Sequence, residues 1–418
     1  MMSSGIGTSR ANLPLILRAI ICTVLAVLVA TAAHRLDFRQ PFIGYGFGGA
    51  FLLFLAVKPS RIRIAIVSIL GLAIAASVIW GHYDSIPTLL VQGMGALGLA
   101  SLLLLGCAVT WNGRETESAA YRALLPGAVL TFLILGAVYS LNMASLLKPT
   151  TYDLYAYAFD GSLGFQPSFV VAHFLNQTPW LFPFVKVSYE GIVLAMAAIY
   201  AAFMLRREKP VWEVIEFLFA PAMIGYLFFS VFPVCGPRYA FAMDFPNAYL
   251  PYSVLHRLAL ESVPVLTAFP RNGVPSLHMT WALMIWLNSR GLSRSMRTVA
   301  LLLVFATGFD TLATGEHYLF DLVVSLPFVL WMQASLVRSI SFRQRERWLP
   351  ALVGCIMFLA WLAIGRFAVH ALLSSPLLSW SLVLVSSSIS IAWSVRLPAM
   401  IPEVEIPSKA QAFAAVAQ

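Results

Sequence analysis

Val274-Pro275-Ser276-Leu277-His278 opens the stretch that decides the fold, and Gly315-Glu316-His317-Tyr318-Leu319-Phe320-Asp321 closes it. Between them run an apolar segment from Met279 to Leu287, a basic turn with Arg290, Arg294 and Arg297, and a second apolar segment from Val299 to Phe309. An apolar run followed by a charged turn and another apolar run reads as two helices of opposite direction. A helix going down and a helix coming back return His317 to the membrane face that holds His278. The spacing therefore predicts one site built from two histidines and an aspartate at one end of a helix bundle.

The rest of the chain has the same character. Of its 418 residues, 60% are hydrophobic and 11% charged, against roughly 25% charged in a soluble domain. Apolar runs recur along the length, many of them about 18 residues or longer, enough to cross a hydrocarbon core of about 30 Å. Only helices satisfy the backbone of such segments in lipid. The fold class expected is all-α, a polytopic transmembrane bundle of about twelve spans. They lie near 13–33, 42–57, 62–80, 86–109, 121–145, 180–205, 212–232, 274–289, 298–315, 317–337, 350–370 and 376–397. The first run ends in Ala30-Thr31-Ala32, which mimics a signal-peptidase site; its length and Arg18 favour an uncleaved span.

Composition divides the chain into three blocks. Residues 1–115 hold about four spans with few intramembrane polar groups, a module distinct from the other two blocks. Residues 116–340 hold about six spans and nearly all the unusual polar residues. Residues 341–418 hold two spans and a polar tail with Pro402, Pro407 and Lys409. No repeat of clear period appears, which argues against an inverted-repeat transporter. Between the fifth and sixth spans, Thr151 to Pro179 is too polar for a span. Its Tyr152, Leu154, Tyr155, Tyr157 and Phe159 suit either an interfacial helix at headgroup level or a structured cap on the bundle.

The formal net charge of +9 does not describe a nucleic-acid groove. Most of the basic residues sit in every second turn: Arg10; Lys58, Arg61 and Arg63; Arg114 and Arg122; Arg206, Arg207 and Lys209; Arg290, Arg294 and Arg297; Arg338, Arg343, Arg345 and Arg347; Arg396 and Lys409; the other set is poorer except in its longer loops, which carry Lys148, Arg238, Arg257 and Arg271. Cytoplasmic loops carry this excess. Both termini are then cytoplasmic, and His278 and His317 face the periplasm, exterior or lumen. Cys22, Cys107, Cys235 and Cys355 are scattered and form neither a disulfide framework nor a zinc site. No cluster has metal-ligand spacing, and no cofactor is expected.

His317 and Asp321 stand at i and i+4 and share a helix face. A carboxylate there accepts the proton of one ring nitrogen and leaves the other as an unprotonated nucleophile. Pro275, favoured in a first helical turn, would let Pro275-Ser276-Leu277 begin a helix whose free N–H groups suit an anion. His278 on that turn is placed to protonate a leaving oxygen. Arg238, in Cys235-Gly236-Pro237-Arg238-Tyr239, and Arg271 lie in loops on the same side, and guanidinium groups match phosphate oxygens. Nucleophile, orienting acid, proton donor and clamps together fit phosphoryl transfer. Lys186, Tyr189 and Glu190 stand within the span near 180–205. They either position an acceptor headgroup or, for Lys186 and Glu190 at i and i+4, neutralise each other. Arg366 and His370 sit at the outer edge of a span and have no assigned role.

The segment resembles the type 2 phosphatidic acid phosphatase superfamily, whose pattern is Lys-x6-Arg-Pro, then Pro-Ser-Gly-His, then Ser-Arg-x5-His-x3-Asp. Here Pro275-Ser276-Leu277-His278 carries leucine for glycine, and Asp310-Thr311 stands where Ser-Arg is usual. Arg238 follows Pro237, with no lysine at the family distance. These departures resemble the inositol phosphorylceramide synthase and inositolphosphotransferase branch. So does the upstream segment with Tyr152-Asp153, Asp160-Gly161, Gly164 and Pro167-Ser168. The resemblance covers about residues 121–340. It implies a six-helix phosphatase-type core and a metal-independent enzyme. His317 would be its phosphorus-attacking nucleophile, Asp321 the supporting acid and His278 the proton donor. The substrate implied is a membrane lipid or lipid-linked phosphate ester. A lipid or sugar hydroxyl is the favoured acceptor; water would make it a phosphatase. The competing expectation is a transporter, which needs ionisable groups spread through the bilayer depth rather than gathered near one face. A catalytically silent lipid-binding relative is a third.

Overall fold

The computed structural model describes residues 41–79, 85–205, 215–247, 249–266 and 268–398. The span expected near 13–33, with Cys22 and the Ala30-Thr31-Ala32 sequence, lies outside the described residues. So do Arg10, Arg206, Arg207, Lys209 and the C-terminal polar tail. The contacts divide the chain into two compact units, up to Ala128 and from Val129.

The first unit contains α1 (Pro41–Ala56), α2 (Arg61–Ile79) and α3 (Ile86–Asn112), with α1 and α2 both packed on α3. Glycine is needed where α1 and α3 meet: a Cβ on Gly98 would fall 1.7 Å from the carbonyl oxygen of Phe47. Arg63 makes a forked ion pair with Glu117, at 2.6 and 3.0 Å. The next helix, α4 (Ser118–Leu147), begins in this unit and ends in the second.

The second unit continues with α5 (Asp153–Ser162), α6 (Pro167–Gln177), α7 (Phe182–Glu190), α8 (Ile192–Met204) and α9 (Ala220–Val231). It then adds α10 (Leu277–Asn288), α11 (Arg294–Ala313), α12 (Leu319–Leu336), α13 (Arg345–Ala363) and α14 (Pro376–Arg396). Its core forms around α12, most of whose side chains are buried. Helices α10, α13 and α14 pack on it, while α11 packs on α6, α7 and α10. A two-residue strand, Thr150–Thr151, pairs antiparallel with Val263–Pro264 and ties two loops together.

Among the described residues, six helices are long and apolar enough to cross a membrane, and a seventh span exists if the pair α7 and α8, bent by 56° at their junction, counts as one. This supports an integral membrane protein and does not reach the twelve spans expected. Part of the difference lies outside the described residues, and at one place it has a physical basis. The run near 274–289 becomes α10, twelve residues long, about 18 Å at 1.5 Å per residue. The runs near 42–57 and 212–232 correspond to the apolar helices Pro41–Ala56 and Ala220–Val231, the second continued backwards by a π-helical turn, Ile215–Phe219, and both stretches reach the edge of the described residues. Apolar residues here line the inside of the bundle as well as the lipid boundary, and a hydropathy pattern does not separate the two.

The segment after α4 takes one of its two expected forms. Every residue of α5 except Leu154 is buried, so this helix is not laid on a headgroup surface. It is internal, as the alternative of a structured cap anticipated.

The hairpin expected from the sequence is present. Helix α10 runs away from His278, α11 returns, and α12 leaves again from His317. The far ends of α10 and α12 are stapled by arginines. Arg290 donates to the carbonyls of Ser394 and Leu397. Arg347 donates to those of Ala334, Ser335 and Ile340. A cation at the C-terminal end of α12 offsets the partial negative charge of its free carbonyls.

Candidate active site

The N-terminal ends of α10 and α12 meet. Ser276 is the N-cap of α10, accepting the N–H of Met279 at 3.4 Å. Pro275 thus precedes the helix rather than forming its first turn. The Ser276 hydroxyl also lies 3.1 Å from Nε2 of His317. On the opposite side of that ring, Nδ1 of His317 lies 3.1 Å from Oδ2 of Asp321. A carboxylate only accepts, so the Nδ1 proton points to Asp321 and the Nε2 lone pair faces Ser276. His317 and Asp321 are 1% and 0% exposed. The expected contact is therefore present in a dry environment, but not across a shared helix face: His317 precedes Tyr318, the N-cap of α12, and Asp321 reaches back to it from the first turn. Water is kept off both groups, which strengthens their interaction.

The backbone of His317 is also tied down. Its N–H donates to the carbonyl of Thr311 at 3.1 Å, and its carbonyl accepts from Ser168 Oγ at 3.0 Å. Thr311 itself folds its hydroxyl back onto the Thr307 carbonyl of α11. The side chain standing where an arginine is usual therefore serves its own helix.

His278 completes the group. Its ring lies 6.3 Å from that of His317, centroid to centroid, and stacks on Tyr189 at 3.9 Å with planes 15° apart. Tyr189 is carried by α7. The same helix is docked on α11 by the Ser188 hydroxyl, which donates to Asp310. Lys186 and Glu190 form a loose ion pair, 3.9 Å apart, with the lysine more than half exposed. Of the three residues singled out in this span, the structure brings Tyr189 into direct contact with a histidine and leaves Lys186 and Glu190 paired.

The two arginines part company. Arg238 sits in a one-turn helix, Pro237–Ala240, whose Arg238 N–H donates to Gly315 O at 3.0 Å. Its guanidinium pairs with Glu316 at 3.0 Å and remains half exposed. The Tyr239 hydroxyl donates to the same carboxylate, and burial beside that carboxylate pushes the phenol above its ordinary range. Tyr189 is near enough to feel Arg238, Tyr239 and Glu316 electrostatically. Arg238 is thus next to the His317 loop.

Arg271 is elsewhere. It is fully buried and donates to the carbonyls of Lys148, Val265, Leu266 and Phe269. All three guanidinium nitrogens hold loop backbone, so its clamp assignment is replaced by a scaffolding one. Burial lowers its pKa from the ordinary arginine value.

Two carboxylates that sequence reasoning quoted but gave no role prove central. Asp153 accepts the N–H groups of Cys235 and Gly236 at 3.2 and 3.0 Å. Asp160 accepts those of Leu319 and Phe320, each at 2.9 Å. Burial raises the pKa of both, and the N–H donors oppose it. The signal was available: two acids seven residues apart share one helix face in an otherwise apolar segment. Among the described residues no group of three or more His, Cys, Asp or Glu converges in a metal-binding arrangement.

Gly236 makes the approach of the two loops possible. Its φ is +95°, and a Cβ there would lie 2.3 Å from the Glu316 carbonyl oxygen. Gly236→Ala should cost about 1–3 kcal/mol from the strained backbone alone, read as a lower denaturation midpoint in detergent. Activity should fall with it, since relief of the clash separates Arg238 from His317.

Among curated proteins and solved structures nothing matches the chain. One family model does. Residues 155–335, which include Arg238, Ser276, His278, His317 and Asp321, match the PAP2 superfamily, whose members are lipid-phosphate phosphatases and phosphotransferases.

Proposed function

We propose that this protein is a membrane-embedded phosphotransferase that cleaves a lipid-linked phosphate ester through a phosphohistidine and passes the phosphoryl group to a lipid or sugar hydroxyl. The observation that carries it is His317 held between Asp321 and Ser276, with His278 at the same end of the bundle. His317 Nε2 attacks phosphorus, and the phosphorus–oxygen bond to the leaving alcohol breaks. His278 delivers the proton that this alkoxide takes up. Asp321 steadies the positive charge that grows on the His317 ring. In the second half, an acceptor hydroxyl gives its proton to His278 and attacks the phosphohistidine, which releases His317. Ser276 leaves Nε2 as the phosphate enters and turns its hydroxyl to a phosphate oxygen. Arg238 exchanges its bond to Glu316 for one to the phosphate.

Transfer rather than hydrolysis is favoured by burial. His317 and His278 are 1% and 8% exposed, and an enclosed covalent intermediate is protected from water. The departures at Leu277 and Asp310-Thr311, shared with the inositolphosphotransferase-like branch, support the same choice. The excess of basic residues in alternate turns supports a non-cytoplasmic site. Both termini would then be cytoplasmic.

The test is purified protein in detergent, offered phosphatidic acid, phosphatidylglycerol or phosphatidylinositol carrying labelled phosphate, with and without an alcohol acceptor. We expect label on an acid-labile phosphohistidine and, with acceptor present, a new phosphate ester. Hydrolysis unaffected by any acceptor would assign the simple phosphatase instead. Turnover that survives in His317→Ala would overturn the site. Arg238→Ala should raise KM by about 10–100-fold, the range set by one charge-assisted hydrogen bond of about 1.5–3 kcal/mol.

A further inference from the structure

We infer that Asp153 and Asp160 are positioning residues through which one buried helix, α5, sets the phosphate clamp against the nucleophile; this rests on the assignment of His317 and Arg238 above. Both side chains are 0% exposed. They lie seven residues apart, two helical turns or about 10 Å along one face. Each accepts two backbone N–H groups, and each pair of N–H groups belongs to a different half of the site. Asp153 holds Cys235 and Gly236, the residues that lead into Arg238. Asp160 holds Leu319 and Phe320, which stand between His317 and Asp321.

The second grip bears directly on the reacting ring. The first N–H groups of a helix have no partner within it. In α12 these are distributed between two acids: Asp321 takes that of Tyr318 at 3.0 Å, and Asp160 takes the next two. The oxygen of Asp321 that accepts Tyr318 N–H is the one that faces His317 Nδ1, while its other oxygen has no hydrogen-bond partner among the described residues. Without Asp160, two buried N–H groups would be left to compete for Asp321 and turn it from the imidazole. Asp160 therefore acts on the chemical step. Asp153 acts on the turn that aims Arg238, and so on substrate binding.

Stability alone is a poor reason for this arrangement. Buried charges are often no more stabilising than apolar residues of the same volume. What α5 gains from them is two fixed anchor points, and a misplacement of 1 Å in a reacting group costs about 100-fold in rate.

The experiment is steady-state kinetics of Asp153→Asn and Asp160→Asn in detergent, on whichever of the three labelled phospholipids turns over, with the rate of phosphohistidine formation measured in a single turnover. An amide keeps one acceptor oxygen and loses the charge and the second grip. For Asp160→Asn we expect kcat and phosphohistidine formation to fall by about 10–100-fold with KM little changed. For Asp153→Asn we expect KM to rise about 10-fold with kcat within a few-fold, the loss of one charge-assisted contact at the clamp. Opposite splits of kcat and KM from two residues on one helix are not produced by a loss of folded protein. Equal losses in both parameters for both variants, or parental kinetics, would overturn the inference. If either amide variant is not recovered from the membrane, Asp153→Glu and Asp160→Glu are read against the same expectations, since each moves its anchor by one methylene. His317→Ala is measured alongside. If it is active, the site assignment fails; if it is inactive and the splits are absent, only the role of α5 fails.

Discussion

His317→Gln is expected to remove turnover by about 10⁴-fold or more and to abolish the labelled phosphohistidine. Loss of a nucleophile eliminates the covalent route, and what survives comes from binding and charge stabilisation alone. Glutamine keeps a polar side chain of similar reach, so Asp321 and Ser276 stay partnered and the bundle folds. The reading is made in two ways, by turnover of the phospholipid and by label retained on protein after denaturation. Asp321→Asn separates the nucleophile from its support. An amide can present its NH₂ group to Nδ1 and reverse the tautomer, leaving the Nε2 lone pair protonated. A loss on the order of 10⁴-fold is expected, as in other histidines held by a buried carboxylate. A phosphoenzyme that forms at the parental rate in either variant would refute the assignment.

The second large effect is expected at His278, and it depends on the leaving group. His278→Ala should slow transfer from an alkyl phosphate ester by about 10²–10⁴-fold, the usual contribution of a positioned general acid. The same variant should be nearly unimpaired in forming the phosphoenzyme from p-nitrophenyl phosphate, because p-nitrophenolate leaves without a proton. Breakdown of that intermediate by an alcohol should still be slow, since the base that accepts the hydroxyl proton is gone. Label should therefore accumulate on His317. Equal impairment with both leaving groups would remove His278 from proton transfer and leave it a packing partner of Tyr189, on which its ring lies at 3.9 Å.

Much of this site is readable in one dimension because it is built from local spacings. His317 and Asp321 stand at i and i+4, and although His317 lies just before α12 rather than on it, their 3.1 Å contact is close in the chain. The helix start was legible to within two residues, with Pro275 expected in the first turn where Ser276 proves to be the cap. The meeting of these two elements followed from one hairpin of apolar runs around a basic turn.

Other features depend on which apolar surface faces protein and which faces lipid, and composition is silent on that. For this reason the run near 274–289 became a short helix, and α5 became an internal strut. Arg271 shows the same limit in a single residue. A guanidinium in a loop beside the site reads as a phosphate ligand, yet four loop carbonyls surround it. Whether an arginine meets solvent, ligand or backbone is set by the loop's path, which no local pattern encodes.

The chain's order of residues determined by itself that this is an apolar helical protein with an imidazole–carboxylate pair and a second imidazole at one end of a hairpin. Periodicity and charge placement are enough for that, because helices form from neighbours and short turns return the chain. Only the tertiary structure decided that Arg238 stands beside the nucleophile's loop, that Tyr189 backs His278, and that α5 holds both halves with Asp153 and Asp160. Those contacts join residues between about 80 and 160 positions apart. Their geometry comes from packing, and for the two buried aspartates it is the need to pair buried polar groups that joins them to backbone N–H groups far along the chain.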